Sequence, residues 1–137
     1  MVGGVIFRVG ESLFFLPAGV AWKVLPMPSV ARVPGAPEVL VGIALVEGET
    51  VPVVAIGEHE RRGSRSPRPA ARSRVDHRPM LVCAHQGERV GLVGLEIVAT
   101  GRFEADDRGE VVHAGAAAAL FDVGSVIAGL GDRRWAV

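Results

Sequence analysis

The chain has 137 residues, 49% of them apolar and 22% charged, with a net charge of zero, enough for one domain or two small subdomains around a shared core. That balance excludes a surface that attracts nucleic acid or membranes as a whole, and no stretch approaches the roughly 20 apolar residues of a membrane-spanning helix. Eighteen glycines and nine prolines predict many turns, hence short strands rather than long helices.

Taken in chain order, Val5 to Val9 reads as a first strand, Gly10-Glu11-Ser12 as a hairpin turn, and Leu13 to Leu16 as the returning strand. The run Leu13-Phe14-Phe15-Leu16 is too short for a secretory leader, and Glu11 interrupts its approach. Pro17-Ala18-Gly19 breaks the strand. Val20 to Leu25 admits a short helical turn leading into a strand, and the prolines at 26, 28, 34 and 37 hold Met27 to Ala36 extended as linker or edge. Val39 to Val46 and Val51 to Ile56 are apolar, β-branched runs joined by Glu47-Gly48-Glu49, and read as two buried strands. A helix there would carry Gly42 and Pro52 in its interior.

From Gly57 to Pro79 the composition turns to arginine, proline and serine, with Arg61, Arg62, Arg65, Arg68, Arg72, Arg74 and Arg78, which predicts a long mobile loop. Strands resume at Met80 to Ala84, turn at Gln86-Gly87-Glu88, and continue as one run from Arg89 to Val98. Thr100 to Asp107 reads as a strand end entering the polar turn Asp106 to Gly109, and Glu110 to His113 as a short strand. Asp122 is placed to cap a short helix, although Gly124 and Gly129 weaken it. A faint echo links Val41-Gly42-Ile43 with Val90-Gly91-Leu92, as two similar small barrels, or chance, would produce.

The residues of catalysis do not gather in the sequence. Cys83 is the single cysteine; it cannot close an internal disulfide, which fits a reducing cytoplasm, and its apolar run marks it as a core residue. His59, His77, His85 and His113 sit in no motif. No C-x-x-C or H-x-x-x-H pair offers a metal site, and no glycine-rich phosphate cradle is present. Asp106-Asp107 reads as a solvated turn. The reading is therefore of a non-enzyme without cofactor or metal.

The stretch Val33-Pro34-Gly35-Ala36-Pro37-Glu38-Val39-Leu40-Val41-Gly42-Ile43, followed by Gly48-x-x-Val51-Pro52-Val53-Val54, resembles the CheW-like family of chemotaxis coupling proteins. That family carries a proline-bounded "v-P-x-a-P-x-x-x-x-G-v" and then "n-l-R-G-x-x-v-P-v-v-D-l". Phe7 to Glu11, Phe14 to Val24, Met80 to Val98 and Leu120 to Ile127 resemble its remaining segments, so most of the chain is covered. The resemblance implies an all-β fold of two small five-stranded SH3-like barrels packed together, with few short helices. It implies a single CheW-like domain over residues 1–137, with 57–79 as a loop within it.

It also implies a non-catalytic adaptor in the cytoplasm, at receptor arrays, joining a chemoreceptor's cytoplasmic tip to the regulatory domain of a CheA-type histidine kinase, without membrane insertion or nucleic acid. Receptor contacts would use the groove between the barrels. The positions matched there are Val20, Gly42 and Glu47, to which Trp22 and Leu45 are added as candidates, Trp22 serving equally as a core residue. The chain departs from the pattern at Leu45, Glu47 and Ala55, where the family has asparagine, arginine and aspartate. The family's later acidic position falls at Leu95 or Glu96. The reversal at Glu47 calls for an altered partner, a compensating base, or a divergent member that binds only receptor or only kinase. A rival reading is a stand-alone β-barrel that binds an anionic partner, nucleic acid or lipid, through Arg61, Arg62, Arg65, Arg68, Arg72, Arg74 and Arg78; the absence of aromatic residues from that loop weakens nucleic acid as the partner.

Overall fold

The computed structural model describes residues 1–57, 78–108 and 110–130. Among these residues eleven strands and one helix follow in order: β1 (Val2–Val9), β2 (Ser12–Pro17), β3 (Ala21–Leu25), β4 (Val30–Ala31), β5 (Leu40–Val46), β6 (Glu49–Ala55), β7 (Met80–His85), β8 (Glu88–Val93), β9 (Glu96–Ala105), β10 (Val111–His113), β11 (Ala116–Leu120) and α1 (Val123–Ala128). Three of the hairpins turn on two residues that both have positive φ: Glu47-Gly48, Gln86-Gly87 and Ala114-Gly115. That backbone matches the twist of the flanking strands, and glycine in second place adopts it at little steric cost.

Strands β1-β2-β11-β10-β9 close a five-stranded barrel, and β3-β7-β8-β6-β5-β4 form a second, six-stranded sheet. The sixth strand is the two-residue β4, which lies antiparallel to β5 through Val30↔Ala44 and Ala31↔Ile43. Each unit contains one parallel pair, β11 with β2 and β6 with β8. The second sheet curls, since Trp22 and Leu25 from one edge strand and Val30 from the other pack on the same core.

Strand alternation sends successive side chains to different cores. Ile6 and Phe15 enter the interior of the first barrel with Phe103, Val111 and Ala118. Their neighbours Phe7 and Leu16 face the other way, into a layer shared with Val54, Leu81, Cys83, Val90, Leu92 and Leu95 of the second unit. Met80 and Val82 face the second core with Val46, Val51, Val53 and Val93. A triangle of Phe7, Phe14 and Phe121, with centroids 5.3–5.7 Å apart, closes one side of the shared layer. α1 seals it with Val123, and Leu130, just past the helix end, joins the same layer. Its N-cap Asp122 accepts from the Ser125 amide at 3.1 Å and the Ser125 hydroxyl at 2.6 Å. Burying a side chain such as Phe7 or Leu16 contributes roughly 1.5–3 kcal/mol, so the shared layer binds the two units into one packed body.

The structure departs from the sequence reading at identifiable points. The run Arg89 to Val98 is two strands: Gly94, at φ +87°, breaks it, and the chain leaves the second sheet for the first barrel there. Val20 to Leu25 holds no helical turn. The Val20 amide donates to the Pro17 carbonyl at 2.9 Å, and β3 starts at the next residue. The echoing triplets lie in β5 and β8 of the same sheet, so they do not mark corresponding places in two barrels. Asp106 organises its turn as well as being solvated, accepting from the amides of Arg108 and Glu110 at 2.9 and 2.8 Å.

Candidate functional site

The second sheet carries a group of charged side chains around Trp22. β3 pairs with β7 through Ala21↔Cys83 and Lys23↔Val82, so Trp22 is the extra residue of a bulge. A bulge re-aims side chains, and here Trp22, half-buried, packs against the second core. Two cations lie over its ring: the Arg89 guanidinium carbon at 3.9 Å and the Lys23 ammonium at 4.8 Å from the centroid. Each cation is also held by a carboxylate of the β5–β6 hairpin, Lys23 by Glu47 and Arg89 by Glu49. All four charged side chains keep between 31% and 57% of their surface, so each pair contributes at most about 1 kcal/mol, with a similar amount from each cation over the ring.

The positions singled out from sequence fall in different surroundings. Trp22 and Glu47 meet through Lys23. Leu45 stands beside them on the hairpin, 69% exposed. On that outward face of β5 it continues a stripe through Ile43 to Val41. Val20 packs instead against the layer shared by the two units. Gly42 is buried beneath β4, where a methyl group would overlap the Ala31 carbonyl oxygen and come within 2.6 Å of Val30 Cγ1; it lets β4 cross closely rather than presenting a contact. Arg61, Arg62, Arg65, Arg68, Arg72 and Arg74 lie outside the described residues, and Arg78 is exposed just before β7.

Lys23, Glu49 and Arg89 were not singled out from sequence. Their partners lie 24 and 40 residues away, beyond any local spacing rule. One signal was available: Glu47 called for a base, and Lys23 is the chain's single lysine.

No three side chains of His, Cys, Asp or Glu converge as a metal site among the described residues. Cys83 is fully buried, and desolvation pushes its thiol up to about 12, so it stays protonated at neutral pH and is a poor nucleophile. No described helix is long and apolar enough to cross a membrane.

A closed barrel and a second curled sheet, joined through one apolar layer and displaying a charge-flanked hairpin, define an all-β protein of two SH3-like subdomains. The sequence matches the family model of the CheW-like domain over residues 3–129, and the chain belongs to that family. Among solved structures it is similar to the scaffolding protein TtCheW from Thermoanaerobacter tengcongensis, with a TM-score of 0.60 and 17% identity over 89% of this chain and 90% of that one. At that identity the likeness speaks for the fold. No curated protein matches the sequence.

Proposed function

We propose that this chain is a non-catalytic chemosensory adaptor that works in the cytoplasm, at receptor arrays, and holds a chemoreceptor's cytoplasmic tip together with the regulatory domain of a CheA-type histidine kinase. The observation that carries this reading is the CheW-like match, which runs through both subdomains from residue 3 to residue 129. The chemistry agrees with a binding role: the exposed features include an apolar strand face and two ion pairs, and the one thiol is buried.

The docking face assigned here is the outer side of the β5–β6 hairpin. Leu45 is its apolar centre and Glu47 its end, with Trp22 joined to it through the Lys23–Glu47 pair. A contiguous exposed apolar stripe rimmed by polar groups is the surface pattern of a protein interface. Lys23 supplies the base that Glu47 requires, so the reversed charge is compensated within the chain and does not repel a partner as a lone carboxylate would. Capture of purified receptor tip and of kinase regulatory domain by the immobilised full chain tests the reading. Binding to both is expected, and binding to neither overturns it.

A further inference from the structure

We propose that the tip of the β5–β6 hairpin is a flap over the second core, and that the two ion pairs meeting at Trp22 are the latch that holds it shut. The ladders give the flap its outline. β6 pairs with β8 only from Val53 to Ala55, and β4 pairs with β5 only at Ile43 and Ala44. From Leu45 to Thr50 the two arms are laddered to each other alone, through Leu45↔Thr50 and Val46↔Glu49. Pro52, which has no amide proton to give, stands immediately before the stretch of β6 that pairs with β8. The flap's base is therefore anchored by backbone on both sides, and its tip is not.

Side chains hold the tip. Val46 and Val51 face the second core. At the end, Glu47 reaches Lys23 on β3 and Glu49 reaches Arg89 on β8. In the sheet, β3 lies four places from β5 and three from β6, so the Lys23–Glu47 pair spans the open side of the curl. The two pairs are not independent, because both cations rest on the same indole. Freeing one loosens the ring on which the other sits. What the latch governs is how readily the hairpin tip lifts from the second core, and ionic strength sets how firmly it closes, since charges this exposed are screened within about 3 Å at 1 M salt. This holds whichever partner the hairpin meets.

Native-state hydrogen exchange on the full chain tests the latch. Each pair of this kind is worth a few-fold in an opening equilibrium, so Glu47→Gln with Glu49→Gln is expected to raise exchange of the Leu45–Thr50 amides about tenfold. The β1–β9 amides of the first barrel should not change. Salt at 1 M should do the same to the unaltered chain, and in a Trp135→Phe background Trp22 emission should shift as the cations leave its ring. Lys23→Arg, which keeps a cation for both the Trp22 ring and Glu47, should hold protection within about threefold of the starting value, whereas Lys23→Gln should raise tip exchange a few-fold. Unchanged exchange at the tip in the Glu47→Gln, Glu49→Gln chain overturns the proposal. So does a rise shared equally by β1 and β9, which would mark global destabilisation, and so does a loss of protection in Lys23→Arg equal to that in Lys23→Gln.

Discussion

Replacing Gly42 with alanine separates a structural role from a contact role. The added methyl would overlap the Ala31 carbonyl oxygen and stand 2.6 Å from Val30 Cγ1 and 2.9 Å from the Ala31 carbonyl carbon. Carbon atoms in contact need about 3.5 Å, so β4 has to retreat by roughly 1 Å. That movement strains both of its ladder pairs and lifts Val30 off the second core. Overpacking of this kind costs about 1–3 kcal/mol; taking about 2 kcal/mol, a chain of this size loses roughly 6–10 °C in Tm. Thermal unfolding followed by circular dichroism measures it. A Gly42→Ala chain that melts within about 1 °C of the original, yet fails to capture a partner that the original captures, would refute the packing argument and return Gly42 to the docking face.

Leu45→Glu is expected to abolish partner capture while leaving Tm within about 1 °C, because an exposed side chain has little packing to lose; a matching fall in Tm would mean that Leu45 is structural. Alkaline stability should depend on Cys83: its thiol titrates near 9.0 when unfolded and near 12 when folded, so stability is fully present below about pH 9 and declines as pH rises toward 12. The full span is about 4 kcal/mol. With no tyrosine and one lysine in the chain, Cys83→Ala should flatten the decline in a urea-denaturation series across that range. The Asp122 carboxyl is held below its usual value, first by the Ser125 hydroxyl and then by the Ser125 amide. Its contribution is therefore present above about pH 4 and lost as pH falls through the lowered value. Asp122→Ala should lower Tm at pH 7, Asp122→Asn should retain most of it, and the difference between the original and Asp122→Ala should shrink in acid.

Hairpins were the legible part of this fold. A strand that alternates between two cores is apolar on both faces, so Met80 to Ala84 and Val51 to Ile56 stand out as unbroken runs between turn residues. The same property concealed the break at Gly94: apolar residues continue on both sides of it, because Val93 belongs to one core and Leu95 to another layer. Parallel neighbours such as β6 and β8 carry no local mark, since no tight turn joins them. β4 lies at the sheet edge within the proline-held stretch Met27 to Ala36 read as linker or edge, but two residues make no period by which to place its bounds. At the candidate site, a requirement for a base was readable at Glu47, but the apolar run read as buried from Val39 to Val46 leaves Val41 and Leu45 exposed on its outward face, because only one face of β5 meets the core. The identity of that base depends on how a bulge at Trp22 turns β3, which is a matter of tertiary register.

The order of strands in the first barrel has a consequence for synthesis. β1 and β2 leave the ribosome early, but β1 closes against β9 through pairs such as Val2↔Phe103 and Val5↔Thr100, and β2 closes against β11. At about 5–20 residues per second, close to a hundred residues of waiting lasts roughly 5–20 s. Through that interval Ile6, Phe7, Phe15 and Leu16, all buried in the finished protein, have only each other and the emerging second sheet to cover them. The second unit, whose strands are all made by Val93, is in place to receive Phe7 and Leu16 before the barrel that contains them exists.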